Sequence, residues 1–338
     1  MNVLMILSNP FLVDPRVHKE AKALVEAGHN VVVIVWDRKK EYESETVVDG
    51  IRLIRIHDNS LMKVLKKDLL KNPVWWRKAY KKGLELYHAQ FQFDVVHCHD
   101  LDTLQAGVWL KNKTGCKLVY DAHEIFGYMI EETMPGFICR FAFFLEKKLV
   151  KKVDSLITVD KPFHTYFESI ASCPVTIVMN CKDLSFDSFE STDNDVFTLI
   201  YIGIMTKGRF FPEVIDIISD LDDVHLVLAG KKEGLFHDIK KYVESNEKVT
   251  FLGTIPSDEI IPRTHDADAV FVLVDPDSKQ HQNTVFNKQF EAMVCGRPII
   301  VTNDTFAAKM TEDLDCVIGV DYSKENFNEI HDSMPPYS

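Results

Sequence analysis

Apolar positions along the chain follow two periods. Short continuous runs, such as the one at 31–36, read as strands buried on both faces. On that pattern strands are expected at 2–7, 31–36, 51–56, 94–98, 117–121, 155–159 and 175–178. After a polar stretch they resume at 198–203, 224–229, 249–252, 269–274, 298–302 and 316–320. Between most of them lie segments of helical spacing, as at 16–27, where Val17, Ala21, Leu24 and Val25 share a face. Strict alternation of this kind means parallel sheets with helices on both sides. The fold class is therefore α/β, doubly wound. The aperiodic polar stretch 181–197 divides the series, so the expected domains are 1–185 and 186–338.

The stretch "FNKQFEAMVCGRPIIV" at 286–301 shows the pattern at close range. Phe286, Phe290 and Met293 make one apolar face. Gly296 suits left-handed backbone just past the helix end, and Pro298 cannot continue the helix. Glu291 lies within that helix. It is either solvated, as most helical glutamates are, or turned to a ligand, since α/β sheets bind ligands at helix starts beyond strand carboxyl ends.

Composition narrows the class. With 338 residues, 46% apolar and 27% charged, the chain is an ordinary globular protein with room for two domains. No apolar run is long enough to span a membrane. The opening "MNVLMILSNPF" lacks the basic leader and small-residue cleavage site of a secretory signal and reads as the first buried strand. Seven cysteines at 98, 116, 139, 173, 181, 295 and 316 form no CxxC pair, which fits reduced thiols in a cytoplasmic protein. A net charge of −12 argues against nucleic acid as a partner.

Candidate chemistry clusters where strands end. In "SNPFLVDPRVHKEA", Asp14 can cap a helix that Pro15 begins, while Arg16 sits in the first turn, where a cation opposes the helix dipole unless an anion offsets it. No GxGxxG follows the first strand, which removes the dinucleotide fingerprint. "FDVVHCHDLDTL" puts His97 and His99 on one face of a strand end beside Asp100 and Asp102. That H-x-H pair is either a metal site or one packed and one edge histidine with Asp102 capping the next helix; the second reading needs no further ligand. "KLVYDAHEIF" ends the next strand with Asp121, His123 and Glu124, so two successive strands end in histidine and carboxylate and line a site. In "LIYIGIMTKGRFFPEVI", Gly203 is followed by Lys207 and Arg209 at a strand-to-helix junction, a pair suited to a diphosphate or simply to a solvated surface. Gly230 and Gly253 end two further strands, where backbone can approach a ligand closely. Lastly, 62–82 carries eight Lys and Arg around Trp75 and Trp76, against one acid, Asp68. Such a segment suits either an anionic membrane surface or a solvated helix with its aromatics turned inward.

Together these motifs resemble the retaining glycosyltransferases of family 4, whose GT-B fold sets two Rossmann-like domains facing across a cleft. The match rests on "DPRVHKEAKALVEAGHNVVVI", "FDVVHCHDLDTL", "KLVYDAHE", "SLITVD", "YIGIMTKGRF", "VTFLGTI" and above all "FEAMVCGRPIIV", spanning 1 to about 320. The resemblance implies metal-independent sugar transfer, without a cofactor, from a UDP- or GDP-sugar donor to a glycan or lipid-linked acceptor. It makes Glu291 the residue that grips the donor ribose, Arg209 the diphosphate ligand with Lys207 beside it, and His123 the catalytic histidine near the donor sugar. Gly230, Gly253, Asn283 and Thr284 fall to the donor side, and Arg16, His99 and Asp100 to the acceptor or phosphate side. Two departures stand out. Asn283 occupies the first place of the family's Glu-x7-Glu pair, and Ile204 replaces an arginine often found five residues before Arg209. The chain also leaves little room for a C-terminal helix crossing back to the first domain, as a truncated sequence would. A nucleotide-sugar epimerase and a non-catalytic glycosyltransferase-like subunit are the competing readings.

Overall fold

The structure, a computed structural model, describes residues 1–323 apart from 13, 59–61, 63–67, 90, 183, 185–191, 193 and 233. The missing or shortened C-terminal helix expected from the sequence falls on 324–338, outside the described residues. The chain forms two compact units, Met1–Met179 and Asn180–Ser338.

In the first unit the strands are β1 (Asn2–Leu7), β2 (Asn30–Asp37), β3 (Glu45–Val48), β4 (Ile51–His57), β5 (Val95–His99), β6 (Lys117–Ala122), β7 (Ser155–Thr158) and β8 (Val175–Ile177). They form one sheet in the order β3-β4-β2-β1-β5-β6-β7-β8. All pairings are parallel except β3 with β4. The helices are α1 (Pro15–Glu26), α2 (Asp68–His88), α3 (Leu101–Thr114), α4 (Phe126–Met129), α5 (Gly136–Val150) and α6 (Lys161–Ile170).

Side chains of a strand alternate between faces, and β1 shows why both faces are buried. Leu4 and Ile6 join one apolar cluster, while Val3, Met5 and Leu7 join another on the opposite side. Each such side chain contributes roughly 1.5–3 kcal/mol on burial, so a continuous apolar run is the strand's structural requirement.

The second unit is a six-stranded, wholly parallel sheet. Its strands are β9 (Phe197–Ile202), β10 (Val224–Ala229), β11 (Val249–Phe251), β12 (Ala269–Val272), β13 (Ile299–Thr302) and β14 (Val317–Val320). Their order is β11-β10-β9-β12-β13-β14. Its helices are α7 (Glu213–Asp220), α8 (Phe236–Glu244), α9 (Ile260–His265), α10 (Lys279–Asn283), α11 (Asn287–Cys295) and α12 (Phe306–Thr311).

All the expected strands are present, and β3 is an addition. It pairs with β4 through Asp49-Gly50, both at positive φ, the two-residue turn that right-twisted hairpins favour. The units divide earlier than the expected boundary after 185. Val178 is held by hydrogen bonds from its amide to Thr158 and from Arg16 to its carbonyl, whereas Asn180 bonds Asn287 and Lys182 pairs with Glu291.

The basic segment 62–82 also departs from one expectation. Lys63, Lys66 and Lys67 lie outside the described residues. Trp75 is fully buried and stacks on Trp36 at 5.0 Å, and Trp76 donates its ring N–H to the Asp102 carbonyl at 2.7 Å. Trp75 packed in this way has no face left for a lipid surface, while Trp76 is half-buried.

Candidate functional site

Each sheet reverses its winding between two central strands, β1 and β5 in the first unit, β9 and β12 in the second. Loops leave such a switch point in opposite directions and open a crevice at the strand carboxyl ends. Arg16, His99, Asp100, Asp121 and His123 gather at the first of these places, and Arg209 follows β9 at the second.

In the first unit, Asp121 is the hub. The β5–β6 register sets His99 opposite it, and the two-residue strand period puts His97 on the same face, with the rings stacked at 4.4 Å. Asp121 is wholly buried and accepts from Arg16 at 2.9 Å, His123 at 3.0 Å and His99 at 3.2 Å. Burial alone would raise its pKa, but His123, His99 and Arg16 outweigh burial and hold it well below the usual carboxylate range. Burial likewise disfavours charge on His123, yet Asp100 and Asp121 overcome it and lift the imidazole to about 10. His123 is thus a cation at neutral pH, a hydrogen-bond donor and not a base. Burial lowers both His97, to about 3, and His99, leaving them neutral.

Asp100 holds the other side of His123. Its carboxylate accepts the His123 amide at 3.1 Å and stands 3.5 Å from the ring Nδ1. It does so from φ 60, ψ 164, a conformation that disfavours any side chain by about 1–3 kcal/mol. Such strain persists only where surrounding contacts impose it.

Three expectations are corrected here. The anion that offsets Arg16 in the first turn of α1 is internal: Asp121, at 2.9 Å, with the carboxyl of Glu20 at 3.1 Å pushed up to about 8 by burial and by Asp121. One histidine of the pair was expected at the cleft edge, but both His97 and His99 are buried. The residue preceding α3 is Asp100, so Asp102 falls inside the helix. Glu20 was missed; its signal was the four-residue spacing from Arg16.

The metal reading gains two ligands the sequence did not bring together. Ligand atoms of Glu20, His97, His99 and Asp121 lie within 4.8 Å of one another, close enough to share an ion. Arg16 already gives both carboxylates a fixed cation, and His123 gives Asp121 a second. A divalent ion there would share these carboxylates with Arg16 and His123, while the Nε2 atoms of His97 and His99 are buried without a hydrogen-bond partner among the described residues.

In the second unit the loop after β9 carries the cations. Arg209 ends a single 3₁₀ turn and donates to the Tyr201 hydroxyl at 3.3 Å. Lys288, from the first turn of α11, is buried with its ammonium 4.5 Å from the centre of the same Tyr201 ring. A side chain at Gly203 would begin 2.8 Å from that ammonium, so glycine leaves the space into which Lys288 points. Burial and neighbouring Arg209 lower Lys288 to about 7, with Glu291 opposing them. Lys288 has no carboxylate partner within salt-bridge distance among the described residues. A guanidinium and an amine that is charged below about pH 7 flank one phenol without such an anion and make a place for a ligand's anion. Sequence reading missed Lys288, although the argument applied to Arg16, a cation opposing a helix dipole, applies to it equally.

The remaining donor-side residues separate. Glu291 is buried and paired with Lys182 at 2.9 Å, so it is not a solvated surface acid. Lys207 is exposed. Gly230 is required by protein packing, since a Cβ there would stand 2.1 Å from the Gly203 carbonyl oxygen. Gly253 ends β11, two strands or about 10 Å from β9, and its φ of 74 is its own reason to be glycine. Asn283 closes α10 by donating to the Lys279 carbonyl, and Thr284 donates to Gln280. At the start of α11, Gln289 accepts the Phe286 amide.

Residues 13–179 match the model of a glycosyl transferase 4-like domain, and 197–327 that of glycosyl transferases group 1. An uncharacterized glycosyltransferase of Methanocaldococcus jannaschii is 23% identical over 318 residues, 84% of this chain and 74% of the relative. Sucrose-phosphate synthase from Thermosynechococcus elongatus superposes with a TM-score of 0.78 at 14% identity, covering 98% of this chain and 89% of that one. HepE from Anabaena in complex with UDP-glucose gives 0.68 at 13% identity, with the same two coverages of 98% and 89%. Two Rossmann-like units, each with its polar group at the switch point, and family matches that between them run through both, place this chain among the group 1 glycosyltransferases of GT-B fold.

Proposed function

We propose that the protein transfers a sugar from a nucleotide-sugar donor to a glycan or lipid-linked acceptor, with retention and without a metal ion. The observation that carries this reading is the pair Arg209 and Lys288 around Tyr201 at the β9 switch point. As a glycosidic bond to a diphosphate breaks, charge builds on the leaving phosphate, and preorganised cations stabilise it without reorganising. Lys288 takes the place that Ile204 leaves uncharged. HepE and an Escherichia coli protein have been solved with UDP-glucose or UDP-2-fluoro glucose, which supports a nucleotide-sugar as donor. UDP and GDP are the two bases to try first. Glu291 is the ribose ligand in this reading, with Lys182 holding the carboxylate until hydroxyls replace it. His123, a fixed cation, donates to the donor sugar and is the catalytic histidine. The cytoplasm is the compartment that supplies such donors.

Titration calorimetry with UDP and GDP tests the reading. Arg209→Ala and Glu291→Ala should each weaken the preferred nucleotide by about ten- to a hundredfold, the worth of a charge-assisted hydrogen bond. Unchanged affinity in both variants would remove the donor site from this place. Turnover should survive EDTA; loss restored by zinc would make the Glu20–His97–His99–Asp121 cluster a metal centre. A non-catalytic subunit is favoured by Asn283, whose amide is already bonded to Lys279, and would show binding without nucleotide release to any acceptor. Sugar isomerisation without an acceptor would identify an epimerase instead.

A further inference from the structure

Helix α5 presents an apolar stripe on the wrong side for a core. Phe137, Phe141 and Phe144 recur at helical spacing and are 65%, 59% and 61% exposed. Cys139, Ala142, Glu146 and Leu149 occupy the opposite face and are buried. The helix therefore already has its packing side, and the phenylalanines face solvent. Exposed aromatics gathered on one face are informative in a way that scattered ones are not.

The charges beside them are all of one sign. Arg140, Lys147 and Lys148 are exposed on the same helix, and Lys151 and Lys152 follow it. None of the five side chains makes an ion pair among the described residues. The helix has a single acid, Glu146, and it is buried beneath Tyr120 and Tyr166. Asp154, two residues after Lys152, is taken up by Lys111 and Lys117, and on the other side the nearest exposed acids in the chain, Glu131 and Glu132, precede Pro135. In a molecule of net charge −12 this local excess of cations is a distinct feature.

We propose that α5 docks on an anionic lipid bilayer, with the three phenylalanines entering the headgroup boundary and the cations meeting lipid phosphates. An aromatic stripe bordered by Lys and Arg, on a helix anchored from behind, suits the plane of a membrane surface. A protein partner would fit the stripe, but complementarity with a uniform anionic surface asks only for the charges present. The interaction needs no donor or acceptor, so its failure and that of the transfer reading are separable.

The test is co-sedimentation of the full chain with vesicles of phosphatidylglycerol and phosphatidylcholine, and with phosphatidylcholine alone, at low and high salt. Binding is expected to the anionic vesicles and to fall with salt. Each Phe→Ser change at 137, 141 or 144 should lower partition by about tenfold, and each Lys→Gln change at 147 or 148 by about fivefold. Thermal melting and nucleotide affinity should stay unchanged in these variants, since the side chains are outside the core. Equal or negligible binding to both vesicle types overturns the proposal. So does vesicle binding that persists in the triple Phe→Ser variant. Self-association abolished by that variant, without vesicle binding, would assign the face to a second copy of the chain.

Discussion

Asp121 is buried between cations, and its carboxylate shares with Asp100 the work of keeping His123 charged. Replacing it by Asn leaves the size and removes one of the two anions facing His123 as well as the partner of Arg16, so Asp121→Asn should destabilise the first unit by about 3–5 kcal/mol in denaturant melts. In the parent protein the His123 ring nitrogens should keep imidazolium shifts in NMR between pH 6 and 8.5; in the variant the ring should lose its proton within that range. The stability this histidine contributes is complete below its ordinary value near 6.5 and is lost as pH rises through about 10, because the folded value is the higher one. Lys288 runs the other way. Its folded value near 7 is below its ordinary 10.5, so above pH 7 the empty site holds a neutral amine. A diphosphate must then draw in a proton, and its affinity should fall by up to about tenfold per pH unit. Calorimetry in buffers of different ionisation enthalpy reads this proton uptake directly, and Lys288→Gln should abolish it. Residue identities at strand ends were legible in the sequence, but their partners were not. Arg16 and Asp121 are far apart in the chain, and only the sheet order makes the Arg16 anion internal.

At the scale of elements, the apolar runs revealed nearly everything, since a strand buried on both faces leaves an uninterrupted signature. β3 escaped because only one of its alternating positions needs to be apolar, although Asp49-Gly50 between two strand-like segments was a signal. Helix α3 shows the opposite limit, a residue that contradicts local preference for a tertiary reason. Gly107 lies mid-helix, where alanine is ordinarily preferred by about 1 kcal/mol. A Cβ at that point would stand 2.3 Å from the Cys98 sulfur and 2.8 Å from Leu118. Gly107→Ala should therefore destabilise by about 1–3 kcal/mol despite better helix propensity. Gly107→Ala combined with Cys98→Ala should recover part of that loss; an unchanged melt for the single variant would show that α3 can move away from β5. Helix α2 teaches a related lesson, for basic residues around two tryptophans looked alike whether the rings faced lipid or Trp36.

The whole molecule has its apolar clusters segregated by unit. Those containing Leu4 and Val3 draw only on the first, and those containing Leu199 and Ile200 only on the second. Scanning calorimetry should accordingly show two unfolding transitions. If the Arg209–Lys288 site binds the nucleotide, a hundredfold excess over its dissociation constant should stabilise one of them by about 2.7 kcal/mol and leave the other in place. A single transition moved as a whole would mean that the units unfold together. The small antiparallel strand β3 has a consequence at this scale as well. Its partner β4 is largely buried and rich in isoleucine, and without β3 its outer row of amides and carbonyls would be open to any passing chain. β3 offers instead only four residues, opening with Glu45, whose carboxylate pairs with Arg52. A hairpin of this kind acts as a selvedge: it finishes the sheet in a short, charged border on which another molecule finds little to add, and so guards the protein against fibrous self-assembly during synthesis and folding.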